Sequence, residues 1–216
     1  MTLTFLDVAL VVTAQGHNPT ILHPSFLEAQ DIIGRDWELA DPPLCTPAIS
    51  TASFKNGVRF VAEERKLQVG QRTIDCAPED SAIASIAQKY VSALPHVDYG
   101  AVGVNFDVII EKTHPTEYLK EKFVSEQKWI DELQPLDVGF RFSFDGNPGR
   151  LTINFDGRQI QMEGVEKSGI LVRANFHKDL EEKTAEELSK VIDLYSQRLT
   201  YFKKVVSVIF NDTEDE

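Results

Sequence analysis

Cysteine is scarce in this sequence, and its scarcity excludes two kinds of architecture. Only Cys45 and Cys76 occur, with no CxxC step and no Cys/His spacing around either. Neither a disulfide framework nor a zinc site is expected, and a reducing cytoplasm is the expected location. Long apolar runs are also missing. None approaches the roughly 20 residues that cross a bilayer, so no membrane association is expected. The opening residues 1–14 are apolar but contain Asp7, and they lack a basic start and a small-residue cleavage site. They read as a strand and not as a signal peptide. Catalytic and cofactor motifs are absent as well: no G-x-S-x-G elbow, no G-x-x-x-x-G-K-[ST] loop, no G-x-G-x-x-G turn. The glycine-rich stretch at 146–149 lies between two strand patterns, whereas a phosphate loop runs from a strand into a helix. No cofactor is expected.

Basic residues are in deficit. Against 34 Asp and Glu stand 22 Lys and Arg, a formal net charge of −12. Binding to a nucleic-acid backbone rests on neutralising phosphates with Lys and Arg, so direct nucleic-acid binding is not expected. Part of the acidic excess sits at 211–216, a tail expected to fray. The five histidines are scattered. His23 and His114 each precede a proline, and neither has a second His, Asp or Glu at i+3 or i+4 with the H-E-x-x-H geometry, so they read as helix starts and not as metal ligands. His17, His96 and His177 are isolated.

What is present is an ordinary globular composition, 42% hydrophobic and 26% charged, with an order of elements that runs twice. Leu6, Asp7 and Val8 match Phe106, Asp107 and Val108. His23-Pro24-Ser25 matches His114-Pro115-Thr116, and a helix-like stretch ending in Trp37 or Trp129 follows each. Ser53-Phe54 matches Ser143-Phe144, and the strand at 65–69 matches that at 158–162. Each half closes on a helix whose apolar residues fall at offsets 0, 3, 4, 7 and 11: Ile83, Ile86, Ala87, Tyr90, Leu94, and Leu188, Val191, Ile192, Tyr195, Leu199. Thr184 and Glu187 form a capping-box pattern. The predicted elements are a strand at 3–13, helix 24–34, strands 48–54, 58–63 and 65–71, and helix 80–94. In the second half they are a strand at 100–111, helix 116–131, strands 137–145, 150–156, 158–163 and 168–177, helix 185–203, and a short strand at 205–210. Asn56-Gly57, the 145–149 stretch and Asp156-Gly157 read as hairpin turns. The expected fold class is α/β of the α+β type. It consists of two degenerate β-α-β(3–4)-α repeats, 1–98 and 99–216, forming a largely antiparallel sheet with helices on one face. Both tryptophans are expected in core or inter-repeat packing.

This order of elements resembles the TATA-binding protein fold, in topology only. The stretch 99–106, YGAVGVNF, with the closing strand and helix, resembles a sporadically distributed prokaryotic family of about 250 residues and unknown function. That family carries Arg and Tyr where this chain has Asn105 and Phe106.

Strand alternation then separates two faces. Val102 to Ile110 at even positions, with Val138, Phe140, Phe142 and Phe144, belong to the helix-covered side. Asn105, Asp107, Arg141, Ser143, Thr152, Asn154, Arg173, Asn175 and His177 fall on the other, joined by Arg59 and Gln68 from the first half. Asn105, Arg141, Asn154, Arg173, Asn175 and His177 are the candidate binding residues, since amide, guanidinium and imidazole groups recognise partners by hydrogen bonds and paired charge. The first reading is a non-enzymatic binding or adaptor protein that engages a protein through this face or a sheet edge. The second is an acidic regulator or inhibitor of a nucleic-acid system, and the third an enzyme with an unrecognised site. Monomer and homodimer are both open.

Overall fold

The structure, a computed structural model, describes residues 2–73, 76–124, 128–162 and 165–211. In chain order the elements are β1 (Leu3–Gln15), α1 (Pro24–Ala29), β2 (Leu44–Cys45), β3 (Ile49–Ser53), β4 (Val58–Glu63), β5 (Lys66–Arg72) and α2 (Ile83–Ala93). There follow β6 (Asp98–Glu111), α3 (Pro115–Phe123), α4 (Lys128–Leu133), β7 (Gly139–Asp145), β8 (Arg150–Met162), β9 (Val165–Asp179), α5 (Ala185–Ile192) and α6 (Tyr195–Phe210). The strands make one open sheet in the order β2-β3-β4-β5-β1-β6-β9-β8-β7, and every pairing is antiparallel. The fold is mixed α+β. With the two-residue β2 set aside, β3-β4-β5-β1 and β7-β8-β9-β6 run inward in the same order and meet where β1 pairs with β6.

Alternation along the long central strands decides which side is buried. Val8, Leu10 and Val12 of β1 and Val102, Val104, Phe106, Val108 and Ile110 of β6 are buried in one cluster with the apolar stripes of α2, α5 and α6. A bulge between Phe5 and Asp7 shifts the alternation by one residue and turns Phe5 inward, where its ring meets Phe202 edge-on at 6.0 Å. Phe106 lies at the centre, stacked on Phe202 at 5.3 Å and in contact with Tyr195 and Phe176 at 5.7 and 6.1 Å. Pro24 and Pro115 open α1 and α3, each behind its histidine.

Several predicted elements are corrected. Asp156-Gly157 is no turn: β8 continues straight through it, with Asp156 opposite Leu171 and Gly157 opposite Ile170. Glycine serves close approach there, since a Cβ would come within 2.8 Å of Thr116 Oγ1 at the start of α3. The strings at 65–69 and 158–162 are therefore not equivalent. The first belongs mainly to β5 beside β1, the second to the far end of β8. Residues 205–210 are helix and not strand. Their β-branched side chains favour a strand, but Phe202, Val206 and Phe210, four apart, bury one stripe of α6, and packing outweighs propensity. The helix predicted over 185–203 is two helices, α5 and α6. The region predicted as helix 116–131 holds α3 and α4, with 125–127 outside the described residues. Helix 24–34 shortens to α1. Trp37 meets the Phe54 ring at 5.3 Å, but Trp129 is 49% exposed and is no core residue. Phe142 is likewise 38% exposed, because β7 is an edge strand. Thr184 caps α5 by accepting the Glu187 N–H at 3.2 Å. The Glu187 carboxylate instead accepts from the N–H groups of Glu181, Glu182 and Lys183. Residues 212–216 of the acidic tail and Glu163 lie outside the described residues.

Buried tyrosines set the alkaline limit of this core. Tyr90 hydrogen-bonds His17 Nε2 at 2.7 Å, while His17 Nδ1 donates to the Glu63 carbonyl at 3.1 Å. The Tyr99 and Tyr195 hydroxyls donate to the carbonyls of Leu94 and Pro78 at 2.9 and 2.8 Å. Burial raises all three phenols above the ordinary tyrosine value, Tyr99 to about 12 and the other two further. A folded-state value above the unfolded one means that the folded chain holds more protons once pH exceeds about 10. The contribution of these three tyrosines to stability is thus full below about pH 10 and falls as pH rises toward 12 and beyond, and it outweighs the opposite course of the single buried Arg198. Denaturant midpoints measured from pH 8 to 12 are expected to be flat up to about pH 10 and to drop above it.

Candidate functional site

The face of the sheet opposite the helices carries a shallow concavity of about 460 Å³, lined by Asp7, Ala9, Arg59, Gln68, Asn105, Asp107, Asn154, Arg173, Ala174 and Asn175. Register explains its chemistry. Reading across the strands, Arg72, Asp7, Asp107, Arg173, Asn154 and Arg141 are successive cross-strand neighbours on β5, β1, β6, β9, β8 and β7. The adjacent row runs Arg59, Gly70, Ala9, Asn105, Asn175, Thr152 and Ser143. Small residues in the second row leave the concavity. A Cβ at Gly70 would come within 2.9 Å of the Arg59 guanidinium, which lies over that position to reach Asp7.

Arg59 grips Asp7 with both terminal nitrogens, at 2.7 and 2.8 Å, a two-pronged pairing that fixes both side chains. Asn175 donates its amide to Asn105 at 2.6 Å. Arg173 reaches Asp156 at 3.5 Å, and Asp156 is held more closely by Arg158 at 2.6 Å. Asp107 stands apart. It is partly buried directly opposite Asp7, and among the described residues no hydrogen bond to its carboxylate is formed. Burial chiefly, and then the Asp7 charge, raise its pKa above the usual aspartate value; Arg173 and Arg59 oppose the shift without cancelling it.

Of the six candidate residues, Asn105, Asn154, Arg173 and Asn175 line the concavity. Arg141 is on the same face at the sheet's outer edge, beyond it. His177 faces Gly103 and Arg150 in the next row, and its Nε2 pairs with Asp179 at 3.1 Å, so it too stands outside. The candidate set omitted the acidic half of the site, Asp7 and Asp107. The signal that could have found it was the match of Asp7 with Asp107 in the two strand-opening triplets. Cys45 and Cys76 are free. Among the described residues no group of three His, Cys, Asp or Glu could hold a metal ion, and no helix is long and apolar enough to cross a membrane.

Fold and site together define an open antiparallel sheet with one face sheathed by helices and the other carrying a shallow, charged concavity. No protein-family model matches the chain, and no curated protein matches it.

Proposed function

We propose that the chain is a non-enzymatic binding protein that engages a protein partner through the concavity, the partner setting a cationic side chain against Asp107. What supports the reading is Asp107 itself. Its neighbours Asp7 and Asn105 are paired with Arg59 and Asn175, while this carboxylate is partly withdrawn from water and accepts no hydrogen bond from the described residues. A Lys or Arg from a partner would supply both the charge and the hydrogen bonds it lacks, with Asn105, Asn154 and Asn175 placed to hold flanking main-chain groups. The same reading takes residues 1–98 and 99–216 as two copies of one unit. The matching strand order about β1 and β6 supports it, as does the meeting of Asp7 with Asp107 across that seam. The reading keeps the likeness in element order to the TATA-binding protein fold, from which no function carries over.

The test is capture of the stoichiometric partner from the native host by the tagged chain, followed by titration with variants. Asp107→Asn keeps the shape and removes the charge, and is expected to weaken partner binding roughly ten- to a hundredfold, the worth of a hydrogen bond to a charged group. Its melting temperature should not fall, because burial already disfavours the charged form. Lys204→Glu, an exposed charge reversal on α6, should leave binding unchanged. Equal binding by Asp107→Asn and the parent chain would remove the concavity as the contact.

A further inference from the structure

The two ends of the sheet are built differently. At one end the terminal strand, β2, is only Leu44 and Cys45, follows Pro42 and Pro43, and is supplemented by a single bridge between Leu39 and Phe54. A short edge guarded by prolines resists the addition of further strands. At the other end β7 pairs with β8 through seven consecutive residues without a register break. It carries neither proline nor lysine, and among the described residues no strand lies on its outer side. Proline, lysine and bulge are all missing from it, its two charges are of opposite sign, and among the described residues no backbone pairing takes up its outward main-chain donors and acceptors.

The side chains of this strand complement themselves. Against a reversed copy with Ser143 opposite Ser143, Arg141 falls opposite Asp145 on both sides of the axis, and Phe142 falls opposite Phe144 on both sides. Alternation puts Arg141, Ser143 and Asp145 on the open face and the phenylalanines on the helix side. Such a pairing therefore places two opposite-charge contacts on one face and continues the ring row of Phe140, Phe142, Phe144 and Phe155 on the other. Within one chain, among the described residues, Arg141 and Asp145 form no ion pair. Asp145 accepts the Asn147 N–H at 3.0 Å, and its cross-strand neighbour Arg150 closes no ion pair with it. The surface leading into the strand carries large apolar side chains among its polar ones. Trp129, Leu133, Leu136 and Phe142 are exposed, Leu136 almost wholly at 98%, and they make half of the large apolar side chains exposed among the described residues.

We propose that this edge is the interface for a second copy of the chain: β7 pairs antiparallel with β7 of its partner about a two-fold axis at Ser143, joining the two sheets into one. The contact is isologous, so each residue of the pair meets its complement twice.

Sedimentation velocity over a concentration series tests this on the full chain. The parent chain is expected to show a concentration-dependent dimer. Arg141→Asp alone, or Asp145→Arg alone, sets like charges opposite each other at both contacts, and each should weaken the dimer roughly tenfold or more. An equimolar mixture of the two single variants should recover it, because one chain then offers only acidic groups and the other only basic ones. The double variant should self-pair as the parent does. Circular dichroism establishes that each variant is folded. Ser143→Cys, with Cys45→Ser and Cys76→Ser, tests the same axis without a charge change or dependence on the Asp145 turn, since the facing thiols should cross-link the dimer under mild oxidation. A parent chain monomeric at all concentrations would assign the edge to a strand from a different protein and overturn the proposal. So would folded single variants that dimerise like the parent, a mixture that stays monomeric, or a Ser143→Cys chain that oxidant leaves uncross-linked.

Discussion

Arg198→Met is expected to raise the melting temperature at pH 7 by roughly 4–8 °C, the shift that about 2 kcal/mol gives in a chain of this size. Arg198 lies on α6 with only 3% of its surface exposed. Among the described residues none of its three guanidinium nitrogens has a hydrogen-bond partner. Its one evident compensation is the Phe176 ring, 5.7 Å from the guanidinium carbon. A buried charge without acceptors costs more than its packing returns, and burial accordingly pulls its pKa down to about 10. A base whose folded-state pKa is depressed penalises the folded state at every pH below that value, and the penalty is relieved only as pH rises above about 10. At pH 7 it is therefore fully present. Methionine keeps the length of the stem and offers sulfur to the Phe176 ring. Differential scanning calorimetry of the parent and variant decides the matter. A lower melting temperature for Arg198→Met would mean that the guanidinium is partnered in solution by an anion or an ordered water.

Phe106→Ala should have the larger effect, in the opposite direction. Truncating a buried phenylalanine costs about 4 kcal/mol in lost transfer energy and cavity, or roughly 8–16 °C in a chain of this size. Its ring touches Phe176 of β9, Tyr195 and Phe202 of α6, and Phe202 in turn meets Phe5 of β1. The cavity therefore opens where the two halves join. Because β1 and β6 pair along twelve residue positions, the loss should lower one cooperative transition and not split it in two. Two separated transitions in the variant, with only the later half of the sequence destabilised, would show that the halves unfold independently.

The parts of the fold that were legible in the sequence are those written in periodicity. Alternation along 100–111 and 168–177 separated Val104 and Phe106 from Asn105 and Asp107, and the buried stripe from Ile83 to Tyr90 gave α2 its inner face. Where local chemistry and tertiary packing disagree, packing prevailed. Asp156-Gly157 has turn chemistry, but β9 runs alongside it and holds it extended. Val205 to Phe210 has strand chemistry, but its four-residue stripe faces the core. The bulge that turns Phe5 inward leaves no trace in composition, since one displaced residue alters register and not character. Of the candidate site, the row of amides was visible from alternation alone. That Arg59 reaches Asp7 across Gly70 was not, because it depends on which strand lies beside which, and strand order is a property of the sheet and not of any one strand.

The position of β1 has a consequence for how the protein is made. This strand is synthesised before the other strands of the sheet, yet one of its two neighbours, β6, holds positions 98–111. During translation β1 can pair with β5 as soon as position 72 has emerged, but its other side must stay open until the second half follows. Closing the seam then joins residues as distant as Val8 and Phe106, a non-local step of the kind that slows folding and leaves unpaired strand edges exposed to other chains. The centre of the finished sheet is thus an edge while it is being made, first β1 until β6 emerges and then β6 until β9 does, so the strands best protected in the mature protein are the ones exposed in the nascent chain.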